Sequence, residues 1–181
     1  MEQLTFPTLS SKRLILRKPD PGDRREIFNL RSNEQVNQFL DREPAKTMDD
    51  ADAFLQSIIK RIEKNEAFYW MICLKENPKP IGTICLFNLS ADKSIVEMGY
   101  ELLPFYQRNG VMHEAISVVL YYLFHSTEVN TVTAFPSTGN VGSIKLLKRN
   151  GFKEVRDDGV ETDLLKFVLT RNDRTQDAGN I

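Results

Sequence analysis

The sequence predicts a single α+β domain in which helices pack on a central sheet. Two runs rich in aromatic and β-branched residues, 68–74 and 81–88, flank the turn-forming segment 76–80, which indicates a β-hairpin. Apolar residues repeat at the three-to-four spacing of an amphipathic helix over 51–62 and again over 111–122. The length of 181 residues fits one domain with a substantial core.

Composition and charge narrow the classes of function. The chain carries 24 Lys and Arg against 25 Asp and Glu, a net charge of −1, so no overall positive field attracts nucleic acid or an anionic membrane. We find no secretory signal and no apolar run near the roughly 18 residues that a transmembrane helix needs. We therefore expect a cytoplasmic protein without nucleic-acid or membrane partners.

The first half of the chain predicts four strands, two of them in the hairpin, and a helical region. Residues 12–17 alternate apolar and polar side chains, as in a strand, and the segment 19–23 ends it. In the helical region that follows, Thr47 and Asp50 form a predicted capping box for the helix over 51–62. After the hairpin, residues 94–103 predict a third strand of the central sheet.

The second half predicts two helices and three strands. A helix starting near Val111 follows Pro104, and residues 130–135 form a strand. The short helix over 140–149 has an asparagine at its start and a glycine after its end. Strands over 152–156 and 162–169 flank the turn 157–159, and the polar residues 171–181 predict a disordered tail, which gives a domain over 1–170.

The cysteines and histidines have no spacing typical of a disulfide framework or a zinc site, so we predict no metal. Cys73 and Cys85 lie on either side of the hairpin, where they could face each other, although a reducing compartment disfavours a disulfide. His113 and His125 are more simply surface residues of a helix than catalytic bases.

The loop between the strand 94–103 and the helix at Val111 is a candidate anion site. Backbone N–H groups at a helix N-terminus attract phosphate, and Gly110 lets the backbone approach it closely. Gln107 and Arg108 add side-chain donors. A glycine before a helix is also an ordinary turn, and the chain contains neither a GxxxxGK[ST] nor a GxGxxG motif.

Five segments together resemble one known family: 12–17 (KRLILR), 97–100 (EMGY), 107–110 (QRNG), 140–143 (NVGS) and 149–152 (RNGF). They are similar to the GCN5-related N-acetyltransferases (GNAT), in particular the ribosomal-protein N-terminal acetyltransferase-like (RimJ/RimL) branch. The resemblance covers nearly the whole chain. It implies an α/β/α sandwich, the GNAT fold, with a mixed and mostly antiparallel sheet flanked by helices.

The resemblance also implies acetyl-CoA as the cosubstrate. Leu102 and Leu103 would pair with its pantetheine arm through their backbone, Asn140 would contact that arm, and Ser143 would lie near the thioester sulfur. The alternative for Asn140 and Ser143 is that they only cap their helix. The pyrophosphate would lie on the loop and helix start formed by Gln107, Arg108, Asn109, Gly110, Val111 and Met112.

Two residues depart from the family pattern. Met112 is large where the family has glycine or alanine, so we expect a shifted pyrophosphate pocket or a lower cofactor affinity. Glu101 stands where an aromatic residue is frequent, so we expect an unusual acceptor pocket.

Transfer of an acetyl group from a thioester to an amine needs a base, a stabilised oxygen and a group near the leaving thiolate. Glu97 is the candidate base and Ser143 the candidate donor to sulfur, with backbone N–H groups of the strand 94–103 around the acetyl oxygen. Glu97 is alternatively a solvated strand residue or one that positions the substrate ammonium. Ser143, in turn, need supply no more than a hydrogen bond.

The expected function is acetylation of a primary amine, either the α-amine of a protein N-terminus or a small molecule such as a polyamine, an amino acid or an antibiotic. A non-catalytic CoA-binding module is the alternative, and the sequence leaves open whether the chain forms a homodimer.

Overall fold

The computed structural model describes residues 6–155 and 163–177, and within these residues eight strands form one sheet. In chain order the strands are β1 (Leu9–Ser10), β2 (Leu14–Arg17), β3 (Phe68–Leu74), β4 (Asn77–Phe87), β5 (Ile95–Leu102), β6 (Thr131–Ala134), β7 (Lys153–Val155) and β8 (Lys166–Thr170). Their order across the sheet is β1-β2-β3-β4-β5-β6-β8-β7. The β5 and β6 strands run parallel and the other neighbours antiparallel, which confirms the predicted mixed sheet.

Helices cover both faces of this sheet, so the predicted α/β/α sandwich is confirmed. One face packs against α1 (Arg24–Arg31) and α3 (Met48–Glu63) through a cluster that includes Ile27, Leu55 and Met71. The opposite face packs against α4 (Val111–Ser126) and α5 (Val141–Arg149), whose Ile116 and Leu147 are fully buried. The helices in chain order are α1 (Arg24–Arg31), α2 (Glu34–Asn37), α3 (Met48–Glu63), α4 (Val111–Ser126), α5 (Val141–Arg149) and α6 (Arg171–Asp177).

The start of α3 forms as its sequence predicts. The Thr47 hydroxyl accepts a hydrogen bond from the Asp50 N–H at 3.2 Å, and the Asp50 carboxylate accepts one from the Thr47 N–H at 2.8 Å. This reciprocal capping box satisfies two of the N–H groups that a helix start leaves unpaired. The helix ends at Glu63, one residue beyond the predicted range of 51–62.

The hairpin is confirmed, but its turn is shorter than predicted. The β3 strand ends at Leu74 and β4 already begins at Asn77, with register shifts on either side of Cys73. Prolines cannot donate to a ladder and are tolerated at such irregularities. Cys73 pairs with Pro80 whereas Cys85 pairs with Tyr69, so the two cysteines do not face each other, and both are free thiols.

The predicted disordered tail is wrong for residues 171–177, which form α6. Arg171 Nη2 donates to the carbonyls of Thr127 and Val129 at 3.0 and 2.7 Å, and Asp173 accepts from the Thr170 hydroxyl at 2.6 Å. Polar side chains hold this helix, so it shows no apolar period in the sequence. Residues 178–181 and the predicted turn 157–159 lie outside the described residues.

Candidate active site

A cleft opens in the sheet between β5 and β6. The two strands pair only from Ile95↔Thr131 to Glu97↔Thr133, whereas β5 continues to Leu102. Among the described residues, no other strand pairs with this edge of β5 beyond Glu97. The far end of β5 therefore presents backbone groups to an opening.

The register shows which backbone groups face the opening. The Ser94 carbonyl accepts from the Thr131 N–H on the β6 side, and the Leu103 N–H donates to the Ile81 carbonyl on the β4 side. Because backbone groups of alternate strand residues point to the same side, the N–H groups of Tyr100 and Leu102 face the cleft.

Leu103 does not offer the backbone pairing that the family resemblance implied. Its N–H is used by Ile81 at 2.9 Å, and its carbonyl accepts from the Tyr106 N–H at 3.0 Å. The Leu102 carbonyl accepts from the Gln107 side chain at 2.9 Å. The Leu102 N–H remains for a ligand. Gln107, predicted as a phosphate donor, instead holds the end of the strand through this hydrogen bond.

The loop after β5 leads into α4 through two left-handed residues. Arg108 has φ 62° and Gly110, the residue before the helix, has φ 75°. The first helical hydrogen bond runs from the Glu114 N–H to the Gly110 carbonyl at 3.0 Å. The preceding N–H groups have no intrahelical partner and lie at the positive end of the helix dipole, which favours an anion. They belong to Val111, Met112 and His113.

The Met112 side chain lies in the hydrophobic core rather than in the loop. It is 7% exposed, and Val111 is 4% exposed. Both residues therefore present only their backbone to a ligand at the helix start. This removes the steric reason for expecting Met112 to shift a phosphate pocket.

An ion pair that the sequence did not predict fixes β2 to the start of α4. The Glu114 carboxylate accepts from the Ser11 hydroxyl at 2.7 Å, from the Arg13 N–H at 2.8 Å and from Arg13 Nε at 2.7 Å. Burial raises the pKa of Glu114, but these hydrogen bonds from Arg13 and Ser11 outweigh it and lower the pKa overall.

Two hydroxyls meet on the α4 side of the cleft. The Asn140 side-chain oxygen accepts from the Ser143 N–H at 3.0 Å, so Asn140 caps α5 as the simpler alternative proposed. The Ser143 hydroxyl lies 2.7 Å from the Tyr100 hydroxyl. Burial raises the pKa of Tyr100 to about 12, although the Ser143 hydrogen bond acts to lower it, so the phenol stays protonated near neutral pH.

Glu97 lies on the other face of β5 from Tyr100, because successive strand side chains alternate between faces. Its side chain is partly exposed and accepts a hydrogen bond from the Asn88 amide at 2.9 Å. Glu97 and Ser143 therefore approach the cleft edge from opposite faces of the sheet.

Glu101, the second departure from the family pattern, is buried and paired. Its carboxylate accepts from Arg42 Nη2 at 2.5 Å and from the Thr83 hydroxyl at 3.2 Å, and its side chain is only 6% exposed. Arg42 Nε also donates to the Asn37 side chain at 2.7 Å. The pair fastens the connection between α2 and α3 to β5, on the same face of that strand as Glu97.

A family model for the acetyltransferase (GNAT) domain matches residues 13–153, which include β5, the loop, α4 and α5. The chain belongs to the GNAT acetyltransferase family. It is 31% identical over 149 residues to the uncharacterized N-acetyltransferase YoaA of Bacillus subtilis (strain 168), covering 82% of this chain and 84% of YoaA. The predicted family and the predicted N-acetyltransferase class are thus confirmed.

Solved structures share the fold of this GNAT acetyltransferase at lower identity. A ribosomal-protein-S5-alanine acetyltransferase from Vibrio fischeri aligns with a TM-score of 0.77 and 19% identity, covering 92% of this chain and 98% of that one. A spermidine N-acetyltransferase from Vibrio cholerae, in complex with CoA and spermine, aligns with a TM-score of 0.77 and 20% identity, covering 91% and 99%.

Cys85 and His125 lack features of catalytic groups in this acetyltransferase, whereas His113 is only partly exposed and its Nδ1 is buried without a hydrogen-bond partner among the described residues. Burial, and next the charge of Glu101, raises the pKa of Cys85 to about 12, so its thiol stays protonated. His125 stacks on Tyr121 near the end of α4, away from the loop, and His113 lies in the first turn.

Metal-binding clusters and membrane-spanning helices are both absent from the described part of the chain. In residues 6–155 and 163–177, no cluster of three His, Cys, Asp or Glu side chains is arranged to hold a metal ion. No helix within those same residues is long and apolar enough to cross a membrane. A cytoplasmic location stays a prediction from the sequence.

Proposed function

We propose that this acetyltransferase takes acetyl-CoA as its cosubstrate and acetylates a primary amine, with the α-amine of a protein N-terminus as the preferred acceptor. The observation that carries the proposal is the open edge of β5, whose free N–H groups at Tyr100 and Leu102 lead directly into the free N–H groups at the start of α4. An extended arm ending in a pyrophosphate is complementary to that sequence of donors.

The donors fit the parts of acetyl-CoA in order along the chain. The first turn of α4, with Gly110 before it, would hold the pyrophosphate through backbone N–H groups. The Leu102 N–H would pair with the pantetheine arm, and the Tyr100 N–H would face the acetyl oxygen. Preorganised donors of this kind stabilise negative charge that develops there. When bound, acetyl-CoA supplies an activated acetyl group and a thiolate leaving group.

Ser143 and Tyr100 would act together at the sulfur. Near neutral pH both hydroxyls are protonated, and at 2.7 Å one donates to the other. If Tyr100 donates to the Ser143 oxygen, the Ser143 hydrogen is free to point at the departing sulfur. The pair then supplies a hydrogen bond to the thiolate, which is stronger because the two hydroxyls polarise each other.

Glu97 would accept the proton that the amine loses, directly or through a water molecule. Its carboxylate has Asn88 as one hydrogen-bond donor and is partly exposed, so a substrate amine can reach it. Since Glu97 and Ser143 approach from opposite faces of the sheet, proton removal and thiolate stabilisation take place on opposite sides of the acetyl group.

The preference for an α-amine follows from the proposed base, because a single carboxylate, Glu97, is a weak base for removing a proton from an amine. An α-amino group has a pKa near 7.7–8.0 and lysine one near 10.4, so neutralising lysine at pH 7.5 costs roughly 4 kcal/mol. Polyamines are the competing acceptors, supported by the spermidine acetyltransferase that shares this fold. A module that binds CoA without turnover is the remaining alternative.

A panel of amines assayed for CoA release tests the proposal, with Glu97→Gln as the informative variant. We expect release with a peptide that has a free N-terminus. Glu97→Gln lowers kcat about 10²-fold near pH 7, as for a lost general base, and the loss shrinks as pH rises and the neutral amine becomes abundant. Asn88→Ala is the matched control, since it removes only the partner of Glu97.

The outcomes separate the alternatives. Release of CoA with polyamines but not with peptides would identify a polyamine, rather than a protein N-terminus, as the acceptor. Binding of CoA without its release in the presence of any amine would favour the non-catalytic module. A Glu97→Gln loss that stays constant with pH would assign Glu97 to substrate positioning rather than to proton transfer.

A further inference from the structure

The loop before α4 has no side-chain cation that the protein holds in place. Arg108 is exposed, and its guanidinium makes no hydrogen bond or ion pair with the described residues. Gln107 is occupied by the Leu102 carbonyl. A phosphate that bound the Arg108 side chain would have to fix a long side chain that makes no other hydrogen bond or ion pair within the described residues. The conformational entropy lost in this way opposes binding.

A different arginine, just before β2, is already fixed beside this loop. Arg13 Nε donates to Glu114 at 2.7 Å, and Arg13 Nη1 donates to the Asn109 carbonyl at 3.1 Å. One of these acceptors belongs to the loop and the other to the first turn of α4, and together they set the plane of the guanidinium. Within the part of the chain that the structure describes, Nη2 has no hydrogen-bond partner.

The unpaired nitrogen is directed toward the helix start. A Cβ placed on Gly110 would lie 3.5 Å from Arg13 Nη2. The same glycine precedes the free N–H groups of the first turn of α4. Nη2 therefore stands at the place where an oxygen of an anion bound to those N–H groups would need a further donor.

We propose that Arg13 binds the pyrophosphate of the cosubstrate through Nη2, and that Glu114 positions it. This inference rests on the proposed use of acetyl-CoA. A guanidinium is always charged and forms short charge-assisted bonds to phosphate oxygens. Glu114 and the Asn109 carbonyl restrict its rotation before the ligand arrives, so less freedom is lost on binding than at Arg108.

The test compares Arg13→Gln with Arg108→Gln, a matched control that removes the same charge from the same loop region. Titration calorimetry with CoA measures affinity without requiring turnover. We expect Arg13→Gln to weaken CoA binding about 10- to 100-fold, the range of a lost hydrogen bond to a charged group, and Arg108→Gln to weaken it less than about 3-fold. Inorganic pyrophosphate as a competitor should displace CoA less effectively from Arg13→Gln.

Glu114→Gln tests the positioning role. It should weaken CoA binding in the wild-type background but add little to Arg13→Gln, because its effect passes through Arg13. Arg13→Lys, which keeps the charge and loses the fixed fork, should show an intermediate loss and serves where Arg13→Gln does not fold.

Equal losses for the Arg13 and Arg108 variants, or unchanged CoA affinity in both Arg13→Gln and Arg13→Lys, would overturn the inference alone. A wild-type protein that does not bind CoA would overturn the proposed function with it.

Discussion

Gly110→Val is expected to abolish binding of CoA while the protein stays folded. Gly110 has φ 75°, in the left-handed region where a β-branched residue is strongly disfavoured. The branched side chain would also extend from a Cβ position 3.5 Å from Arg13 Nη2, into the space proposed for the phosphate. We expect a loss of at least about 100-fold in affinity, measured by titration calorimetry.

Gly110→Ala separates the two causes. Alanine incurs most of the backbone strain, of the order of 1–2 kcal/mol, without the branched bulk. It should therefore keep measurable CoA binding and lose stability comparable to the valine variant. Wild-type affinity in Gly110→Val would mean that the loop is an ordinary turn and would remove the proposed phosphate site.

Arg42→Met should destabilise the fold more than any of the substitutions at the proposed CoA site. Of the donors in the described part of the chain, it leaves the Glu101 carboxylate, 6% exposed, with only the Thr83 hydroxyl. Removing one partner of a buried pair typically costs about 3–5 kcal/mol, because the remaining charge stays buried and uncompensated. Urea unfolding measures the change in the free energy of unfolding.

Two controls make this result specific. Arg24→Met breaks an exposed pair, Arg24 with Asp49 at 3.9 Å, and should cost at most about 1 kcal/mol. Combining Arg42→Met with Glu101→Leu removes the stranded charge and should recover much of the stability. A cost for Arg42→Met no larger than that for Arg24→Met would contradict a structural role for the pair.

The local elements of the fold could be predicted because their signals lie within a few residues. Two of these signals are caps: the capping box at Thr47 and the asparagine before α5 each bond to backbone groups nearby. The third is the alternation in β2, which follows from burial of one face of the strand. The α6 helix was missed for the opposite reason. Its Arg171 bonds to carbonyls 44 and 42 residues away, and nothing in the local sequence shows this.

The candidate site divides in the same way. The loop and α5 could be predicted from contiguous motifs, whereas three side-chain pairs that shape the site join residues far apart in sequence. Arg13 and Glu114 are 101 residues apart, Arg42 and Glu101 are 59, and Tyr100 and Ser143 are 43. The hydrophobic pattern of a single sequence contains no signal for such pairs, because they depend on which strands and helices pack next to each other.

Met112 shows how a family pattern can mislead when burial is unknown. Its size suggested a crowded phosphate pocket, but the position faces the core of the sheet and presents only its N–H to the loop. Side-chain direction, rather than side-chain size, decides the effect of that substitution.

The most direct test of α-amine acetylation is mass spectrometry of a peptide with one free α-amine and one lysine, incubated with the protein and acetyl-CoA near pH 7.5. We predict acetylation on the α-amine, an untouched lysine, and no reaction with the same peptide blocked at its N-terminus. Acetylation mainly on the lysine, or on neither amine while a polyamine is consumed, would contradict it.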